Sequence, residues 1–186
     1  MFWQLINTFR AEDLIFIDES GINLGLDRTH GRAEKGHRAY GKKPHIKGGN
    51  ISLIAALGMG GVITEVSLTG STDTITFDAF ILNKLAPKLW PGAVVIMDRC
   101  SIHFGSEASK AIHNAGAHLI FLPGYSPDFS PIESCWSKLK SILRGIGARN
   151  YPDLLAAIKK AYSQIDIEDI LGWFTHCCYC TESDWG

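Results

Sequence analysis

The sequence carries almost no net charge: 18 lysines and arginines against 19 aspartates and glutamates leave a formal −1. That excludes a protein held to nucleic acid by bulk positive charge. No apolar run approaches the roughly 20 residues of a membrane-spanning helix. The opening MFWQLINTFRAED is too short and too early-charged for a secretory signal. Repeats, low-complexity segments and internal linkers are also missing. The five cysteines, Cys100, Cys135, Cys177, Cys178 and Cys180, are odd in number and lack framework spacing. They read as reduced thiols, which implies a cytoplasmic setting. His176 beside the last three invites a zinc site, but a second separated pair of ligands is wanting.

What is present is apolar content and segregated charge. With 46% hydrophobic residues in 186, residues 1–186 are expected to form one domain with a sizeable core. Arg28, Arg32, Lys35, Arg38, Lys42, Lys43 and Lys47 follow one another with only Glu34 opposed. Lys138, Lys140, Arg144 and Arg149 form a second basic group. Such clustering on a near-neutral chain suits a surface that faces phosphates. The first cluster is the better candidate, since seven cations on a Gly-rich segment have little structural reason to gather. For Lys138 and Lys140 a solvated helix face competes.

Five short apolar runs read as strands: residues 14–18, 51–58, 62–68, 93–98 and 117–123. The second and third flank Met59-Gly60-Gly61, a hairpin signal. Residues 19–45 are polar and Gly-rich, a long loop with room for one edge strand. Helical spacing runs through 76–89, stopped by Pro91-Gly92, and helices are expected over 103–115, from Glu133 to about Leu143, over 152–165 and over 167–176. Residues 1–12 read as a short helix or the tail of an upstream segment. A hairpin followed by strand–helix alternation predicts an α/β protein with a mixed five-stranded sheet and helices on both faces.

Asp18 and Asp98 each close a buried run, the place where ligands gather in α/β proteins. Glu133 follows a two-proline loop. Three carboxylates from distant points suit a hard divalent cation such as magnesium. Each has a plainer explanation. Acids close strands as turn formers, and Ser130-Pro131-Ile132-Glu133 has the pattern of a capping box with Pro at the first helical position. Glu19 competes with Asp18, although alternation along a strand sends only one of the pair to the site.

At these residues the sequence resembles the catalytic domain of mariner-like insertion-sequence transposases, of the DDE superfamily endonucleases. The segments that carry the likeness are FIDESG around Asp18, VVIMDRCSIH around Asp98 and LPGYSPDFSPIESCWSKLK around Glu133. GRAEKGHRAYGKK and WFTHCCYC add to it, so it covers nearly the whole chain. The resemblance implies a ribonuclease H-like fold with Asp18, Asp98 and Glu133 as catalytic and metal-holding acids. It implies magnesium or manganese, as two ions, and double-stranded DNA as substrate: hydrolysis at transposon ends, then strand transfer by the 3′-hydroxyl to target sites centred on a TA dinucleotide. A homodimer on DNA is expected, with no membrane association.

Two departures stand out. The family usually has Asn after its second acid, where this chain has Arg99, which either pairs with Asp98 or turns outward to DNA. The helix-turn-helix region that usually precedes the catalytic domain is missing, so fusion to an upstream reading frame is one expectation. An inactive DNA-binding or regulatory remnant is the alternative. A cellular ribonuclease H-type enzyme shares fold and metals but not the Gly124–Lys140 motif. His103 matches a usual family histidine near the second acid. Trp136 reads as core.

Overall fold

Strand β1 (Leu14–Ile22) is buried without interruption from Leu14 to Ile17 and organises the molecule. Leu14 and Phe16 enter one apolar cluster, Ile15 and Ile17 the other, so this strand is covered on both faces. In the computed structural model, which describes residues 2–28, 30–40 and 49–181, β1 is the middle of five strands. The order is β3-β2-β1-β4-β5, with β2 at Ile51–Gly58, β3 at Gly61–Thr69, β4 at Val94–Met97 and β5 at His118–Phe121. The β1–β2 and β2–β3 pairs are antiparallel, and β1–β4 and β4–β5 are parallel. The expected mixed five-stranded sheet is present.

Helices cover both faces, as expected. On one lie α4 (Pro131–Ile146), α5 (Tyr151–Tyr162) and α6 (Ile167–His176), which bury Trp136, Leu139, Ile158 and Phe174 against Phe16, Leu53 and Ile96. The other carries α2 (Thr74–Phe80) and α3 (Ser106–Asn114), packed through Phe77, Phe80, Ala108 and Ile112 on Ile17, Val95 and Met97. The short α1 (Phe2–Ile6) sets Phe2 and Trp3 against Phe129.

Three elements differ most from the sequence reading. β1 does not stop at Asp18 but runs to Ile22, because β2 pairs with it through Ile22↔Ile51. The helix expected over 76–89 begins at Thr74, where Asp73 accepts from Thr76 N–H at 2.8 Å. It then widens to a π turn at Ile81–Leu85 and ends in a 3-10 turn containing Pro87, which cannot donate a helical hydrogen bond. The helix expected over 103–115 is a 3-10 turn (Ser101–Phe104) and α3, broken at Gly105. There the Asp78 carboxylate packs so closely that a β-carbon would collide with it, and it accepts from Ala108 N–H at 3.2 Å. No strand occurs between Asn23 and Tyr40 among the described residues.

Candidate active site

Register brings the first two acids together. β1 and β4 run in parallel with Leu14↔Val94, Ile15↔Val95 and Phe16↔Ile96, so two residues further on Asp18 and Asp98 fall side by side. Both have the parity of Phe16 and Ile96, which face α4. The third acid arrives on that helix. Ile132, Cys135, Trp136, Leu139 and Leu143 form the buried stripe of α4, and seating it on the sheet leaves Glu133 exposed at its first turn. Asp18, Asp98 and Glu133 thus line one cavity of about 570 Å³, closed by Pro123–Pro127 and Ser130.

The capping box does not form: Ser130 makes no side-chain hydrogen bond to the helix, and Glu133 N–H donates to the Ser130 carbonyl at 3.1 Å. Ser130 has extended backbone, but its hydroxyl leaves the α4 amides alone, so the Glu133 carboxylate has no capping role. Pro131 does occupy the first helical position.

Asp18 is held by Trp136, whose indole Nε1 donates to Oδ2 at 2.9 Å. Trp136 is core, as expected, and 2% exposed, but the sequence reading missed this second role. Trp136 lies three positions after Glu133, so the two are neighbours on the helix surface, and that spacing was the available signal. Burial pushes the Asp18 carboxyl up to about 7. The Glu133 and Glu19 charges add to this, against the Glu19 N–H and the indole. Such a crowded carboxyl is one that a cation would relieve.

Asp98 is held from the opposite face of the sheet. Its Oδ1 accepts from Cys100 N–H at 2.9 Å and lies 2.7 Å from Nδ1 of His103. Nε2 of His103 lies 2.9 Å from Glu19 Oε2. Glu19 points away from Asp18, as alternation requires, and its purpose there is to anchor His103. Burial works against charging His103, yet Glu19 and Asp98 outweigh it and raise its pKa. Only the doubly protonated ring donates from both nitrogens. The ring also packs on Phe77, with centroids 4.5 Å apart.

Arg99 lines the same cavity, exposed, and makes no ion pair among the described residues. At the mouth, Tyr125 is fully exposed with φ 56°, a left-handed backbone that a non-glycine residue seldom adopts.

The basic candidates divide. Arg28, Arg32, Lys35 and Arg38 are exposed, while Lys42 and Lys43 lie outside the described residues. The loop root is tied to the far end of α4, where Arg149 donates to the Leu26 carbonyl at 2.9 Å. Arg28, Tyr40 and Arg144 line a second hollow there, roughly 16 Å along the helix from Glu133 at 1.5 Å per residue. The structure therefore does not bring these cations to the three acids. Lys140 lies two turns past Glu133 and is half-buried. Lys138 differs: its ammonium pairs with Asp169 and lies 3.9 Å from Asp166, so it already has anionic partners.

The donor set, three carboxylates against the single cation Arg99 in the cavity lining, fits a hard cation such as magnesium or manganese. Among the described residues no three His, Cys, Asp or Glu side chains converge tightly enough to hold an ion as they stand, so closure on the ion would be needed. No helix among those residues is long and apolar enough to cross a membrane.

A family description, DDE superfamily endonuclease, matches residues 13–155. No curated protein sequence matches. A structure titled Mos1 transposase paired-end complex with left transposon end superposes with a TM-score of 0.77 at 15% identity, over 94% of this chain and 56% of that one. A Mos1 mariner paired-end complex with Mn gives 0.72 at 14% identity, over 94% and 56%. The isolated catalytic domain of Mos1 mariner transposase gives 0.68 at 13% identity, over 95% and 84%. The chain thus spans just over half the length of the full transposase chains it matches. At these identities the likeness establishes the fold, which is ribonuclease H-like.

Proposed function

The chain belongs to the DDE superfamily endonucleases, and we propose that residues 1–186 form one catalytic domain of a mariner-like DNA transposase. It would cut phosphodiester bonds at transposon ends and join the freed 3′-hydroxyl to target DNA. The observation that carries this is the meeting of Asp18, Asp98 and Glu133 in one cavity, from two strands and a helix far apart in sequence.

On this reading the three carboxylates hold two divalent ions. Magnesium or manganese, when bound, supplies acidity to the attacking oxygen and charge stabilisation to the leaving one. The protein's own part is placement: Trp136 steadies Asp18, His103 and the Cys100 N–H steady Asp98, and the α4 seat carries Glu133. What supports an active domain over an inactive remnant is that Arg99 does not neutralise Asp98. Its carboxylate is bonded to other groups and stays 56% exposed.

DNA leaving the cavity would follow α4 past Lys140 to Arg144, Arg28 and the loop bearing Arg32, Lys35 and Arg38, about five base steps at 3.4 Å. The Mos1 complexes support double-stranded DNA as partner. We further propose a homodimer on DNA, end recognition by a helix-turn-helix segment fused upstream, and a cytoplasmic setting for the free thiols.

The test is nicking of supercoiled plasmid with manganese. The wild type should convert plasmid to open circle, and Asp18→Asn, Asp98→Asn and Glu133→Gln should each lose at least about a hundredfold, about 2.7 kcal/mol of barrier. Equal nicking by any of the three would remove that acid from the mechanism.

A further inference from the structure

Arg99 is the one basic residue among those lining the acidic cavity, where Asp18, Asp98 and Glu133 are the other charged groups. An arginine beside an aspartate ordinarily pairs with it, because the guanidinium fork matches a carboxylate. Here the neighbouring carboxylate is already satisfied from elsewhere: Oδ1 of Asp98 takes the Cys100 N–H and faces His103. Arg99 is left exposed, with no carboxylate partner among the described residues.

The electrostatics of the cavity gives this cation a purpose. Ions held by the three acids would offset the acids and the phosphate being cut. They leave the next phosphates of the strand facing a rim whose remaining lining residues, Pro123, Gly124, Tyr125, Ser126 and Pro127, carry no charge. A free guanidinium at the edge of that rim presents five N–H donors in the geometry that phosphate oxygens accept.

We propose that Arg99 is a substrate-positioning residue that binds a DNA backbone phosphate flanking the scissile bond. This rests on the reading of the cavity as a DNA-cutting site and adds to it how the strand is held. Arg99 clamps the nucleic acid; it does not compete with the ion for Asp98.

Two measurements on the full chain test it. The first is anisotropy of a labelled duplex of arbitrary sequence, titrated across salt without divalent ions, in wild type, Arg99→Gln and Arg99→Lys. The second is manganese calorimetry on the same proteins without DNA. Arg99→Gln should weaken binding on every sequence and make the log–log salt slope shallower by about 0.9, the value for one phosphate contact. Arg99→Lys should keep most of the slope, and manganese affinity should be the same in all three. Unchanged duplex affinity and slope in Arg99→Gln would overturn the assignment. So would tighter manganese binding in that variant, which would mark Arg99 as an antagonist of the ion. If the wild type binds neither duplex nor manganese, the DNA-cutting reading itself fails and the inference with it.

Discussion

The indole Nε1 of Trp136 donates to Oδ2 of Asp18 at 2.9 Å, tying the first acid on β1 to the helix that carries the third. The same bond that steadies a partly buried carboxylate fixes how α4 lies against the sheet. Trp136→Phe keeps the ring and removes the donor. It should leave the fold intact at a cost of about 1–3 kcal/mol, the range for an unsatisfied buried acceptor. Manganese affinity should fall about 10–100-fold, as for the loss of a group that orients a metal ligand. Melting curves and calorimetry on one preparation separate the two effects, and unchanged affinity would reduce Trp136 to packing alone.

Asp18 makes the ion-free protein sensitive to pH. Burial pushes its carboxyl up to about 7 in the folded chain, from the ordinary 3.8 of an exposed aspartate, so between these limits the folded state binds the extra proton. The stability that Asp18 contributes is therefore fully present below about pH 3.8 and lost as pH rises toward 7. Asp18→Asn should flatten that decline in urea melts across pH 4–7.5. A wild-type profile that rises over the same interval would show that burial does not govern this group.

His103 links Glu19 to Asp98 across the sheet. His103→Ala should strand the Glu19 carboxylate, whose side chain is 15% exposed, and destabilise the fold by about 1–3 kcal/mol. Glu19→Gln keeps a hydrogen-bond acceptor but removes the charge that favours imidazolium. It should lower the His103 pKa, read by histidine NMR titration, while Asp18 and Glu133 stay in place. A His103 pKa that does not move would remove Glu19 from that role.

The loop before Glu133 is clasped from both ends of the chain. Trp3 packs edge-on to Phe129, with centroids 5.1 Å apart, and the Tyr179 hydroxyl donates to the Phe129 carbonyl at 2.6 Å. Tyr179→Phe should speed amide exchange across residues 124–130 about fivefold to tenfold, the kinetic equivalent of about 1–1.4 kcal/mol. Strand β4 should be unaffected. Uniform acceleration throughout would mean a global loss of stability instead.

Much of this was legible beforehand because strands and acids follow short-range rules. The alternation of side chains in any strand told that Asp18 and Glu19 part company, and the apolar runs marked all five strands. The register that sets Asp18 beside Asp98 was not legible, since pairing between strands 80 residues apart depends on the whole sheet. Nor was Trp136 as a donor to Asp18, because its ring also satisfies a core position and a sequence shows only the burial. Asp78 against Gly105 breaks the expected 103–115 helix through a contact across 27 residues, invisible to local periodicity. The capping pattern at Ser130 misled for the opposite reason: the local signal was right in form, but Ser130 leaves the helix uncapped.

The most direct test of the account is manganese binding by calorimetry to the wild type, Asp18→Asn, Asp98→Asn and Glu133→Gln, each checked for fold by circular dichroism. The account predicts binding in the wild type and a loss of affinity of at least about tenfold, about 1.4 kcal/mol, in every folded variant. Wild-type protein that is folded and takes up no manganese, or a variant that binds as well as wild type, would contradict a single site built from all three acids.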